Sequence, residues 1–215
     1  MCWNEHVSLN TFLFSTFVLG LVIYNNAYTP YKIPNMAWPV YLFMFSFIIM
    51  QLNEYFLWRN LKDTDYNRAF SIAGIFILFF QPVFSLMMIE GNPLLSVRLI
   101  FAYLLGAIPF MMYNITHSPL KTDVSKEHHL LWRWSQEDMP IINYVTYAIW
   151  LFFLFFSMVY NGWWLFAGFG AFTYLYMLFR YVKTGTVGSM WCWVINSAFL
   201  LFAFLILLYY PIILG

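Results

Sequence analysis

Seven apolar stretches, each near the length that a bilayer's hydrocarbon core demands, divide this chain almost from end to end. They cover roughly residues 10–28, 36–58, 70–89, 94–113, 139–159, 163–182 and 190–212. A spanning helix needs about 20 mostly apolar residues. Lipid also leaves every backbone polar group to be satisfied within the protein, which restricts spans to helices and closed barrels. The pattern therefore predicts an all-α bundle of seven transmembrane helices, one membrane domain over residues 1–215. Turn chemistry marks the breaks: Asn25-Asn26 with Pro30, the polar cluster at 63–67, Gly91-Asn92-Pro93, Asn161-Gly162 and Thr184-Gly185-Thr186. Only the connection at 115–138 is long, and its Trp132 and Trp134 read as an interfacial segment at headgroup level.

Charge supports the same class. Only 9% of the residues are charged, where a soluble domain carries about 25%. A net charge of +1 gives no footing for nucleic acid. Two cysteines are too few for a disulfide framework. The opening residues lack a basic n-region, so the first apolar run reads as a retained span rather than a signal peptide.

Basic residues set the orientation, because cytoplasmic loops carry the excess of Lys and Arg. The loops after spans two, four and six hold eight: Arg59, Lys62, Arg68, Lys121, Lys126, Arg133, Arg180 and Lys183. The loops after spans one and three hold only Lys32 and Arg98. The N-terminus is thus expected to be cytoplasmic and the C-terminus outside. Asn114-Ile115-Thr116 matches the N-glycosylation pattern, lies on the cytoplasmic side in this topology, and is expected to be unmodified.

One carboxylate breaks the apolar pattern. Glu54 lies near the end of the second span, in Gln51-Leu-Asn53-Glu54-Tyr-Phe-Leu-Trp58. An ionisable group within a span costs about 2.5–3.5 kcal/mol on insertion scales and marks a functional-site hypothesis. Gln51, Glu54 and Trp58 are spaced i, i+3, i+7 and share one helix face. Glu54 falls about one turn, roughly 6 Å, short of the boundary. Cys2, Glu5 and His6 are expected at that boundary, with Cys192 and Asn196 on one face of the last span and Arg180 near the inner end of the sixth. An ion pair of Glu54 with Arg180 or Arg59 is the structural alternative.

Cysteine with histidine also suggests zinc, and Cys2, His6, His117 and Cys192 are the candidate ligands. Their spacing matches no known ligand pattern, and the sequence demands no cofactor. In the third span Gln81-Pro82 predicts a kink, with Gln81 expected either to partner the freed carbonyl or to hydrogen-bond across to another span. Gly168 and Gly170, with Ala167 and Ala171, predict a close-packing seam in span six.

The opening Met1-Cys2-Trp3-Asn4-Glu5-x-x-Ser8 and the later Gln51-x-x-Glu54-x-x-x-Trp58 resemble an uncharacterised family of small polytopic membrane proteins. Its members come from bacteria, protists and large DNA viruses. The match covers the first third of the chain; beyond it only hydropathy agrees, and Asn4 stands where serine is usual. The resemblance singles out Cys2, Ser8, Gln51, Glu54 and Trp58, and implies no reaction. Retinal proteins are excluded by the lack of a lysine between Met190 and Gly215.

Three functions are expected from these residues. The first is binding or transport in a cytoplasm-facing polar pocket centred on Glu54, oriented by Gln51, with Cys2, Glu5, Trp58, Cys192, Asn196 and Arg180 around it. The second is a membrane-embedded metal-dependent hydrolase acting on lipid. The third is a structural protein of a viral or organelle membrane. The partners expected are the bilayer and a small molecule, ion or lipid; an oligomer is compatible with all three.

Overall fold

Helix starts follow the cap chemistry of the chain. Asn4 caps α1 (Glu5–Tyr28), its Oδ1 accepting from the Val7 N–H at 2.9 Å. Serine fills this role equally well. Asp63 caps α3 (Thr64–Leu86) and Asn92 caps α4 (Pro93–His117) in the same way. Between them, α2 (Trp38–Arg59) and α4 each carry a proline in the first turn, where no N–H is missed.

The computed structural model describes residues 4–135 and 141–213, and the chain is all-α, 79% helical. After α4 come α5 (Ile141–Tyr160), α6 (Trp164–Tyr181) and α7 (Val187–Asn196). The last apolar stretch continues through α8 (Ala198–Phe204), a π-helical turn (Leu205–Tyr209) and α9 (Tyr210–Ile213). Among the described residues six helical stretches are long and apolar enough to cross a membrane: α1 to α4, Trp164–Thr184 and Val187–Ile212. The apolar part of α5, Val145–Tyr160, is shorter. By length and composition the chain is an integral multi-pass membrane protein.

α2 is central and α4 peripheral: 61% of α2's apolar window is buried inside the protein, against 6% of α4's. α2 packs between α1 and α3 and also reaches α7, α5 lies against α3 and α6, and α4 rests on α3. Trp191 of α7 fills the middle, fully buried, with the rings of Phe47, Trp150, Phe155 and Tyr174 around it edge-on. Its indole N–H donates to Gly170 O and Thr173 Oγ1 of α6.

Pro82 lies within α3 and has no N–H for the Leu78 carbonyl. That carbonyl accepts instead from Trp150 Nε1 of α5, at 2.9 Å. Gln81 takes the other expected course and reaches across to a second span, its amide 3.5 Å from Ser46 O of α2. The seam in α6 is only half as expected. A Cβ at Gly170 would lie 2.5 Å from the Phe155 ring, whereas one at Gly168 would meet nothing within 4 Å.

The long connection holds a feature that sequence reading missed. β1 (Thr122–Val124) and β2 (Leu130–Trp132) pair antiparallel as a hairpin. His128 makes the turn at φ 58, a left-handed conformation in which histidine is among the better tolerated residues. The hairpin's tryptophans are packed inside the protein rather than turned outward as an interfacial belt would be. Thr122 and Leu130 are fully buried, and Trp132 and Trp134 nearly so.

Candidate functional site

Two helices and the hairpin bring the chemistry-bearing side chains to one end of the bundle. On α2 the i, i+3 spacing of Gln51 and Glu54 places both on one face, and Gln51 Nε2 donates to Glu54 Oε2 at 3.0 Å. Both side chains are fully buried. On α7 the i, i+4 pair behaves as its spacing demands: Asn196 Nδ2 donates to Cys192 O at 2.8 Å. It also reaches Phe47 O at 3.2 Å, tying α7 to α2. The Glu54 carboxyl lies within electrostatic range of the buried Cys192 thiol. Among the described residues Gln51 Oε1 and Asn196 Oδ1 of this layer have no hydrogen-bond partner, nor has the hydroxyl of fully buried Ser8 on α1, the helix packed against α2.

The hairpin is clamped next to this layer from both sides. Asn67 of α3 treats Thr122 as a strand would, donating to its carbonyl at 2.9 Å and accepting its N–H at 2.8 Å. Ser71 adds a hydroxyl contact with Thr122 at 2.9 Å. On the other side Ser189 of α7 donates to Leu130 O at 2.9 Å. Trp132 lies against Gly188 so closely that a Cβ there would sit 2.6 Å from its ring. Trp134 stacks on Trp132, with centroids 5.3 Å apart, and approaches Gly74.

Beyond the hairpin the bundle forms a partly open cavity of about 910 Å³, bounded by α3, α4, α5, α6 and α7. Trp132, Trp134, Val187, Gly188 and Cys192 form its hairpin end; Trp150 and Trp191 stand along its wall. Among the described residues its lining is mostly aromatic and aliphatic, with Asn114 and Thr146 as polar members and no Asp, Glu, Lys, Arg or His. Volumes of about 300–1,000 Å³ are those of ligand pockets.

The structure brings together only part of the expected site. Gln51, Glu54, Cys192 and Asn196 share one layer, while Glu54 itself lines neither this cavity nor a smaller one at the turn between α1 and α2. Trp58 is half-buried at the end of α2. Glu5 is surface-accessible, 3.9 Å from Arg59 and 3.8 Å from His6. That contact takes Arg59, one of the two expected partners of Glu54, to a different carboxylate. Arg180 is exposed, with no ion pair or hydrogen bond among the described residues. Cys2 lies outside the described residues. Of the zinc candidates, His6 and His117 are exposed and Cys192 is buried. Among the described residues no three His, Cys, Asp or Glu side chains gather as a metal site.

The hairpin's ionisable groups give it a pH dependence. Burial pushes the Asp123 carboxyl up, but hydrogen bonds and charge from Lys121 (2.7 Å) and Arg133 (3.0 Å) outweigh that and hold it below its ordinary value. Burial pushes the His129 imidazole down. Each group binds its proton less readily folded than unfolded, so folding stability is complete at neutral pH and falls with pH. The loss begins below about 6.5 for His129 and below about 3.9 for Asp123. Protection factors for amide exchange over 122–132, corrected for the intrinsic rate at each pH, are expected to drop in those two windows. Asp123→Asn is expected to remove the lower one and leave the upper.

No protein-family profile, no curated protein and no solved structure matches the chain.

Proposed function

We propose a binding or transport protein of a membrane, with seven spans, a cytoplasmic N-terminus and the Glu54 layer at the cytoplasmic end. The carrying observation is the apolar cavity of about 910 Å³ whose wall residue Cys192 belongs to the same layer as Gln51, Glu54 and Asn196. The cavity seats an apolar body, and Glu54 supplies a protonatable carboxyl behind its wall residue Cys192. The unmet atoms Gln51 Oε1, Asn196 Oδ1 and Ser8 Oγ support this reading over a purely structural pin. A buried atom without a partner costs about 1–3 kcal/mol, and packing that served only to join helices would gain by satisfying all three. Eight basic residues on one set of loops against two on the other support the orientation.

The burial of Glu54 favours a second reading, in which the carboxyl only pins helices together. Glu54→Gln separates the two, because it keeps shape and hydrogen bonding while removing the proton. In vesicles holding a pH-sensitive dye, the wild type is expected to pass protons and the variant to lose that flux with a thermal midpoint within a few degrees of wild type. A wild type without flux, together with a variant that unfolds, would return Glu54 to the structural role.

A further inference from the structure

Resting on the binding reading above, we propose that the cavity admits its ligand sideways from the bilayer, between α4 and α5, and that the ligand is an uncharged lipid bearing a carbonyl oxygen. Three observations carry this. The first is the packing of α4, which rests on α3 and stays largely clear of α5. Their rings meet at Tyr103 and Phe153, 5.4 Å apart. From there toward the hairpin both helices turn lining residues to the cavity, Ala102, Gly106 and Met111 on one side and Ala148, Ile149 and Phe152 on the other. Ala102, Gly106, Ala148, Ile149 and Phe152 are also exposed, so the rest of the protein does not cover this wall, which lies on two of the apolar helices. A Cβ at Gly106 would meet nothing within 4 Å. The residues facing α5 here are small, at Ala102, Gly106 and Ala107.

The second observation is that none of the described lining residues carries a charge. A charged headgroup drawn into this cavity would lose its hydration and find no counter-charge on the wall. An uncharged molecule already dissolved in the bilayer meets no such barrier. The third is Trp134. It is 93% buried, lines the hairpin end of the cavity, and its indole N–H has no hydrogen-bond partner among the described residues. A tryptophan indole only donates, so the group that completes it must be an acceptor. A lipid ester or ketone oxygen supplies one on an otherwise apolar body. The lipid's chain then lies along α4 and α5 with its carbonyl at Trp134.

The test uses the full chain in phosphatidylcholine nanodiscs with three diazirine probes: a diacylglycerol, a phosphatidylserine, and an alkane of matched chain length without oxygen. The diacylglycerol is expected to label peptides carrying Ala102, Gly106, Ala148 and Phe152 and to be competed by its unlabelled form. Gly106→Trp fills open space and is expected to abolish that labelling. Trp134→Phe is expected to weaken retention of the diacylglycerol roughly three- to tenfold while leaving the alkane unchanged. Circular dichroism and thermal midpoints of both variants establish that they fold. Phosphatidylserine labelling equal to diacylglycerol's, or labelling indifferent to Gly106→Trp, overturns the proposal. A water-soluble molecule found bound to purified protein, with no cavity labelling by any probe, overturns lateral lipid access and preserves the binding reading. Neither a bound molecule nor cavity labelling overturns both.

Discussion

Replacing Trp191 with alanine is expected to cost about 3–5 kcal/mol, the range for emptying a buried aromatic site. For a chain of this size that is a fall in thermal midpoint of roughly 6–20 °C. The cost is high because Trp191 holds several elements at once. Its ring stands among Phe47 of α2, Trp150 and Phe155 of α5 and Tyr174 of α6, with centroid distances of 5.4–6.3 Å. In lipid there is little hydrophobic drive between helices, so such close packing is what keeps them together. The substitution also withdraws the indole N–H from Gly170 O and Thr173 Oγ1. Thermal unfolding in detergent checks it, with Trp164→Ala beside it. Trp164 is 65% exposed, and its loss is expected to move the midpoint little. Equal shifts for the two would show that the centre of the bundle is not where its stability lies.

Gly188→Val is the second large effect and acts through the hairpin. The new side chain starts with a Cβ 2.6 Å from one Trp132 ring atom and 2.9 Å from another. The ring has no free direction, because its far face stacks on Trp134 and the hairpin backbone is held by Asn67 and Ser189. Overpacking of this kind costs about 1–3 kcal/mol. The hairpin can relieve it by leaving its seat. Cleavage by trypsin at Lys121, Lys126 or Arg133 is expected to rise by roughly tenfold, since proteolysis follows the population of the open form. Combining Gly188→Val with Trp132→Leu is expected to recover most of the protection, the signature of one shared contact. Wild-type cleavage rates in the single variant would remove Gly188 as the hairpin's seat.

The helices were legible because lipid leaves so few options. Runs of apolar residues with prolines and asparagines at their ends had to become α1 to α7, and spacing alone placed Gln51 against Glu54 and Asn196 against the Cys192 carbonyl. The hairpin was not legible for a matching reason. Thr122–Val124 and Leu130–Trp132 are three residues each, too short for an alternating pattern to register. Tryptophans near basic residues carry the compositional mark of a membrane interface. What buries them is decided elsewhere, by the bare backbone of Gly74 and Gly188 and the side chains of Asn67 and Ser189. The partner of the Leu78 carbonyl was likewise invisible, because Trp150 is on another helix. Arg59 and Arg180 were reasonable counter-ions for Glu54 by depth; rotation about the helix axis, which depth does not specify, sent one to Glu5 and the other to the surface.

The clamp on the hairpin also imposes an order in time. Ser189 holds Leu130 across 59 positions of chain, so half of the hairpin's seat is still unmade when its strands leave the ribosome. At synthesis rates of about 5–20 residues per second that gap lasts roughly 3–12 s. Through that interval α3 is the only side of the clamp present, and the indoles of Trp132 and Trp134 stand without α7. The hairpin's seat therefore closes only when α7 arrives, and a chain stopped after α6 is left with Trp132 and Trp134 sheltered on one side alone.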